Sequence, residues 1–230
     1  MESKQISESG EYWKEHLLSW EASAYYKETR HKANFWDRLS TIFRGDAMYV
    51  RMNAALELLK PHIAGKTVLD VGCASGRFAF QLLAAGAAKV HGVDVSPDAI
   101  RIANTHRTQA GLEDQLDFSV TDAVLPDAPL PKSDLVTALG VIEYFDTHDM
   151  SAFLGNLQTK YFFLDFPHTA RRKQFPTWQL RQVYIRVNKL PGVYLYRPEE
   201  FIKLAEPFGF ENIWVAQQDG FYYITNLPKA

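Results

Sequence analysis

The 230-residue chain has one cysteine, Cys73. That excludes an internal disulfide, and with it a small secreted disulfide scaffold or a cysteine-rich zinc site. No apolar run approaches the roughly 18 residues that a membrane span needs, and Met1-Glu-Ser-Lys-Gln carries no signal-peptide core. A soluble, cytoplasmic protein is therefore the expectation. There is no internal repeat and no low-complexity tract. Charge of one sign is not in excess either: 25 Lys and Arg face 27 Asp and Glu, a formal net of −2, which says nothing about partners for the chain as a whole. With 47% apolar residues the chain can bury a substantial core, enough for one large α/β domain or a domain with an appendage.

Two missing glycines are informative. Lys66-Thr-Val-Leu-Asp70-Val-Gly72-Cys-Ala-Ser-Gly76-Arg-Phe78 reads as a strand buried on both faces, Thr67 to Val71. It breaks at Gly72 and Gly76 before a helical pattern beginning near Phe78. Such a strand-to-helix turn is where open α/β sheets bind nucleosides. A dinucleotide fingerprint needs glycine at its first, third and sixth positions, but counting from Gly72 this chain has Ala74 and Arg77 at the other two. The pyrophosphate reading, and a nicotinamide dehydrogenase with it, fails there.

What is present builds an alternating chain. Residues 9–27, with Trp13, Leu17 and Trp20 at helical spacing, suggest an amphipathic helix, and the aromatic stretch to Arg51 continues it. Residues 1–46 read as a helical cap, either packed on the sheet or closing as a lid over a ligand. A helix from about Ala47 to Lys60, apolar at Val50, Ala54, Leu56 and Leu59, should stop before Pro61. After the glycine turn come a helix to about Ala85 and a second strand, Ala88 to Val93, ending in Asp94. Ser96-Pro97 then supplies an N-cap and first-turn proline for a helix to about Gln109, closed by Gly111. Leu116–Val120, Asp134–Gly140 and Tyr161–Asp165 are further strands. A helix from Asp149 to Leu157 precedes the last of these, and one from Glu199 to Ala205 follows it. Two closing strands, 211–216 and 220–224, flank Gln217-Gln-Asp-Gly and are near enough to pair antiparallel. This rhythm means an α/β fold with a mostly parallel sheet and right-handed crossovers.

On that topology the acidic residues at strand ends have a use. Asp94, with Val95 after it, lies 22 residues past Gly72, where one carboxylate can accept from both ribose hydroxyls. Asp122, in Thr121-Asp122-Ala123 beyond the third strand, borders the same crevice and could accept from an adenine amine.

These features together resemble the class I S-adenosylmethionine-dependent methyltransferases. They are Asp70-x-Gly72-x-x-x-Gly76, Asp94, Thr121-Asp122-Ala123, Ala138-Leu-Gly-Val-Ile-Glu143 and the closing hairpin, over about residues 47–226. The resemblance implies a Rossmann-like three-layer sandwich whose seven-stranded, mostly parallel sheet ends in an antiparallel hairpin, with S-adenosylmethionine across the ends of its first four strands. Gly72, Cys73, Ala74 and Gly76 would follow the methionine and ribose, with Asp70 supporting the turn or the cofactor amine. Asp94 would hold the ribose, Asp122 and Ala123 the adenine, and Leu139 and Gly140 the methionine side. Ala74 replaces a glycine common in the family, and its methyl fits if φ is negative. The methyltransferase domain would span 47–230, with a basic, aromatic insert at about 168–197.

The sulfonium methyl is strongly electrophilic, so positioning matters most and a base is needed only for a protonated nucleophile. His168, just past the fifth strand, is the best-placed candidate for a base, though a loop histidine is more often merely solvated; Glu143 and Tyr144 share the rim of the fourth strand. Related ubiquinone-type O-methyltransferases read Glu-x-x-Glu-His there and can hold a divalent metal. Here Gly140-x-x-Glu143-Tyr144 lacks two of three ligands, so no metal is expected. Between Phe166 and Pro198 lie Arg171, Arg172, Lys173, Arg181, Arg186, Lys189 and Arg197 and no acid, against 18 basic and 27 acidic residues elsewhere. With Phe175, Trp178, Tyr184, Tyr194 and Tyr196 interleaved, this segment suits a small anionic acceptor with an apolar or ring portion. It could equally be a solvated basic face with Trp178, Val183, Tyr184 and Val187 turned inward. Pro191–Tyr196 and Gly220-Phe-Tyr-Tyr-Ile-Thr also resemble magnesium-protoporphyrin O-methyltransferases, a short and unspecific likeness that would imply carboxyl methylation. The expected activity is O-methylation, at hydroxyl or carboxyl, of a small molecule. RNA or protein methylation and a catalytically silent cofactor-binding module are the alternatives. The chain lacks the Asn/Asp-Pro-Pro-Tyr and Pro-Cys motifs of base-modifying enzymes, which leaves nucleic acid unfavoured.

Overall fold

Short apolar runs alternating with amphipathic ones give the order of elements in the computed structural model, which describes residues 7–24, 47–170, 179, 183, 186 and 193–229. Among these residues the helices are α1 (Glu8–Ala24), α2 (Ala47–Ile63), α3 (Arg77–Ala84), α4 (Pro97–Ala110), α5 (Thr147–Asn156) and α6 (Pro198–Ala205). The strands are β1 (Thr67–Val71), β2 (Lys89–Asp94), β3 (Leu116–Val120), β4 (Leu135–Ala138), β5 (Tyr161–Asp165), β6 (Trp214–Gln218) and β7 (Phe221–Thr225). They form one seven-stranded sheet in the order β3-β2-β1-β4-β5-β7-β6. The first five run parallel to one another, whereas β7 runs antiparallel to both β5 and β6.

Because strand side chains alternate, neighbouring residues feed opposite cores. Val68, Val90, Leu135, Phe163 and Tyr223 pack under α2, α3 and α4. Leu69, Val93, Val136, Phe162 and Ile224 pack under α5 and α6. Three layers result, and both faces of β1 and β4 are dry, which accounts for their continuous apolar runs. No helix among the described residues is long and apolar enough to cross a membrane.

Several boundaries differ from the sequence reading for local reasons. Helix α2 runs through Pro61 to Ile63. The proline falls in the last turn, where it removes one amide, and the fully buried Ile63 holds that turn against the core. Its buried stripe is Met52, Ala54, Ala55, Leu59 and Ile63, with Val50 exposed. Helix α5 starts two residues early because Asp146 caps it, accepting from the amides of His148 and Asp149 at 2.8 Å. Gln217 and Gln218 belong to β6, and the hairpin turns on Asp219-Gly220 alone, at φ +49° and +81°, a pair that matches the twist of the strands. In the insert, Val183 is helical and exposed rather than inward; Trp178, Tyr184 and Val187 lie outside the described residues.

The turn from β1 to α3 contains the main surprise. The amides of Gly72 and Cys73 both donate to the Val93 carbonyl, at 2.8 and 3.1 Å, and that of Ala74 to Asp94 Oδ2 at 2.9 Å. Three successive amides thus converge on the end of β2, and the backbone must reverse sharply to do so. Gly72 takes φ +71°, where a Cβ would lie 2.1 Å from Val141 Cγ2. Ala74 takes φ +49°, so the condition of a negative φ is not met and its methyl sits in the left-handed region. That conformation costs a non-glycine residue about 1–2 kcal/mol, against about 0.4–1 kcal/mol of chain entropy that alanine saves. Ala74→Gly is accordingly expected to stabilise the protein by about 0.5 kcal/mol, read as a raised midpoint in thermal denaturation. A lowered midpoint would contradict the strain.

Candidate functional site

The sheet reverses its winding between β1 and β4, and there a cleft opens at the carboxyl ends of the strands. One of its walls is α1, through Gly10, Trp13, Leu17 and Glu21. The structure brings together on its lining Asp70, Gly72, Cys73, Ala74, Asp94, Val95, Asp122, Ala123, Leu139, Gly140, Glu143 and Tyr144. Gly76 and His168 are not on it.

Asp70 is the last but one residue of β1, buried, and paired in register with Thr137 of β4. Thr137 Oγ1 donates to its Oδ1 at 3.0 Å, while Oδ2 is buried without a hydrogen-bond partner. Burial pushes its pKa up to about 7, Thr137 pulls it down, and the charge of Asp94 adds to the rise. Asp94, ending β2, is also buried. It accepts from Ala74 at Oδ2 and from Ser96 at Oδ1, both at 2.9 Å, so it joins the glycine turn to the start of α4. Burial lifts its pKa to about 6 against those two amides, with Glu21 contributing repulsion. Both carboxylates keep acceptor capacity beyond these bonds. The neighbouring Cys73 thiol is pushed well above its usual range by burial and then by Asp94 and Asp70, which leaves it neutral and unreactive.

Asp122 fastens α1. Its Oδ2 accepts from both the amide and the hydroxyl of Ser7, at 2.9 and 2.7 Å, and Ser7 Oγ in turn accepts from the Gly10 amide. At the other end of the helix the buried Glu21 receives the Ser75 hydroxyl and Arg77 Nε, the latter at 3.2 Å. Trp13 meets Tyr144 edge to face at 5.0 Å. Tyr144 and Glu143 lie on a short 3-10 turn, and the returning end of the insert joins it there: the Tyr194 amide donates to the Glu143 carbonyl and Tyr196 OH to that of Phe145.

His168 sits elsewhere, stacked on Tyr222 at 4.7 Å, with Nδ1 accepting from the Ala170 amide at 2.9 Å. The lone pair a base would use is thereby engaged. Of the basic insert, Arg186 is exposed and Arg197 is engaged by Glu200 at 2.7 Å in the cap of α6; Lys189 and the arginines at 171, 172 and 181, with Lys173, lie outside the described residues. Among the described residues Asp146, His148 and Asp149 approach ligand spacing, but they are off the cleft and Asp146 is committed to capping α5. His91 is held by Asp117 and Ser119 on the sheet edge.

Sequence reading missed Ser7, Glu21 and Arg51. Arg51 lines the cleft from α2 and pairs with Asp165 at the end of β5 at 3.1 Å. Its signal was an arginine within the apolar stripe between Met48 and Ala55, where a solvated charge does not belong. Ser7 and Glu21 had none, since their partners are distant in sequence.

Residues 68–159 match a family model described as a methyltransferase domain. Among curated proteins, the ribosomal protein L11 methyltransferase of Alteromonas mediterranea is 40% identical over 76 residues, 33% of this chain and 25% of that one. The ubiquinone biosynthesis O-methyltransferase of Paraburkholderia phytofirmans is 34% identical over 83 residues, 36% and 35%. The chain thus spans about a fifth to a third of the curated relatives it matches. Among solved structures, magnesium protoporphyrin IX methyltransferase from Synechocystis PCC 6803 superposes with a TM-score of 0.63 at 18% identity, covering 94% of both chains. Human N-acetylserotonin methyltransferase gives 0.59 at 18%, over 91% of this chain and 64% of that one. The domain match thus runs from β1 to beyond α5, and the chain shares the Rossmann-like, seven-stranded fold of these methyltransferases.

Proposed function

We propose that the protein methylates an oxygen of a small molecule, using S-adenosylmethionine as donor. The observation that carries this reading is the pair of buried carboxylates at adjacent strand ends, one with an oxygen lacking any partner. A ligand bringing an ammonium to Asp70 and a diol to Asp94 satisfies both, and a methionine-linked nucleoside has these groups. When bound, the cofactor supplies an electrophilic methyl group on sulfur. The chain supplies position: Asp70 for the amine, Asp94 for the ribose, Asp122 and Ala123 beside the adenine, and Leu139 and Gly140 along the methionine side.

In this reading α1 is a lid, fastened by Ser7 and Glu21, which excludes water from the transfer. Its Trp13, with Tyr144, offers an aromatic wall to the ring of an acceptor. Glu143 is on the same rim. A carboxylate acceptor arrives deprotonated and needs no base, which fits a cleft from which His168 is absent. The solved neighbours named for small acceptors cover nearly the whole chain, and the ubiquinone biosynthesis O-methyltransferase matches 36% of it; these likenesses support a small acceptor. A metabolite extract incubated with isotopically labelled S-adenosylmethionine and the protein should yield a labelled small molecule by mass spectrometry. Label confined to protein or RNA, or cofactor bound without transfer, would overturn the assignment.

Two binding measurements test the cofactor residues. Asp94→Ala should weaken S-adenosylhomocysteine by about 1–3 kcal/mol in calorimetry; an unchanged affinity would remove Asp94 from the ribose. Asp70 has its folded-state pKa raised from 3.8 to about 7. In the free protein it therefore stays protonated between these values, and folding stability falls as pH rises through that window. An ammonium ligand favours the ionised form, so affinity for S-adenosylhomocysteine should rise roughly tenfold from pH 6 to 8 and the slope should flatten in Asp70→Asn. Equal slopes in the two proteins would show that Asp70 does not meet the amine.

A further inference from the structure

At the β2–β3 corner the sheet carries three polar side chains, none of which lines the cleft. His91 alternates with Val90 along β2, so it shares a face with Leu69 and Val93. Asp117 of β3 is directly opposite it in register, and Ser119 follows two residues later on the same face. Residues 121–134 join β3 to β4 without a helix, which leaves that face partly open. His91 is accordingly 20% exposed and Asp117 47%.

The three form one line of hydrogen bonds. His91 Nδ1 lies 3.1 Å from Asp117 Oδ2, and Nε2 lies 2.9 Å from Ser119 Oγ. A carboxylate only accepts, so Nδ1 carries the ring proton, Nε2 is bare, and the Ser119 hydroxyl donates to it. Arg107 Nη1 and the Phe118 amide donate to the other oxygen of Asp117, at 3.1 and 3.0 Å, which holds the carboxylate in place. The charged groups around His91 are thus Asp117 on β3, Arg107 from α4 and Lys89 on its own strand. Burial lowers the His91 pKa against the pull of Asp117, and Lys89 adds to the fall. The ring is therefore a neutral base at pH 7. Since β3 is the outermost strand, one side of its backbone is open. Its Thr121 amide donates to the Asp94 carbonyl on β2. Amides alternate in direction along a strand, so that of Val120 points off the open edge, and Val120 is itself exposed. An N–H one residue past a serine hydroxyl is well placed to hold an oxyanion.

We infer that Ser119 is a nucleophile, a modification site that takes the acyl group of an activated ester, with His91 as its base and Asp117 as the residue that positions the base. The Ser119 oxygen bonds to the carbonyl carbon while its proton passes to His91 Nε2. The carbonyl electron pair moves onto oxygen, beside the Val120 amide. Its return breaks the ester bond, and the departing alkoxide or phenolate takes the proton from His91. Acyl-Ser119 and a free alcohol or phenol are the products.

The test treats the full chain with p-nitrophenyl acetate and reads acetylation rates residue by residue in peptide mass spectra. Ser19, exposed and donating to the His16 carbonyl, is the internal reference. Ser119 should be acetylated about a hundredfold faster than Ser19, and His91→Gln should bring it down to the Ser19 rate. The Ser119 rate should also rise with pH as the His91 imidazolium loses its proton. In Asp117→Asn that inflection should move to lower pH, because the carboxylate favours the imidazolium; an unmoved inflection overturns the positioning role of Asp117. Acetylation of Ser119 no faster than that of Ser19 in the unaltered protein overturns the inference, and this comparison needs no variant to fold. Equal Ser119 rates in the unaltered protein and in folded His91→Gln overturn it as well.

Discussion

Two carboxylates buried side by side, Asp70 and Asp94, are the constraint around which the rest is arranged. Each is taken out of water at the end of a parallel strand; the charge of Asp94 adds to the cost of ionising Asp70, and that of Glu21 to the cost of ionising Asp94. The chain offsets this with polar groups brought to the same place. Thr137 reaches Asp70 through the β1–β4 register, and the glycine turn and the entry to α4 each send one amide to Asp94. A left-handed alanine is tolerated because it delivers one of those amides. Strain at residue 74 and charge at residue 94 are two halves of one arrangement.

The sheet topology decides what that arrangement faces. With β4 on the far side of β1 from β2, the loops after these strands diverge and leave a cleft. Acids predominate among its charged lining residues: Glu21, Asp70, Asp94, Asp122 and Glu143 against Arg51 and Arg77. Such a cleft complements a ligand carrying positive charge, and a sulfonium with an ammonium carries two. Arg51 is the local exception, and its pairing with Asp165 keeps even that corner close to neutral.

Local chemistry was legible in the sequence wherever a short-range signal fixed it. β1, β3 and β5 are apolar runs with clear stops, and Ser96-Pro97 with Gly111 marks both ends of α4, the serine accepting from the Ala99 amide as an N-cap should. Asp94 could be placed because its distance from the glycine turn is a consequence of one β–α–β unit. Less was readable where the outcome depends on tertiary contacts. Nothing in residues 7–24 says that Ser7 meets Asp122, 115 positions away, or that Glu21 meets Ser75. His168 follows a strand end, yet the turn after β5 carries its ring onto Tyr222, a partner supplied by the antiparallel strand that the fold inserts next to β5. Arg51 was overlooked because a helical wheel shows only that a charge is misplaced, not which buried aspartate awaits it.

The two ties on α1 set how any ligand would come and go. One joins the first turn of the helix to the loop after β3, the other joins its last turn to the start of α3, and both attach to segments that line the cleft. A helix held at one end could swing open like a flap; held at both, it must release together or bend in the middle. Residence time in the cleft is then governed by the lifetime of two polar clasps, and a spent nucleoside would leave no faster than the clasps let go.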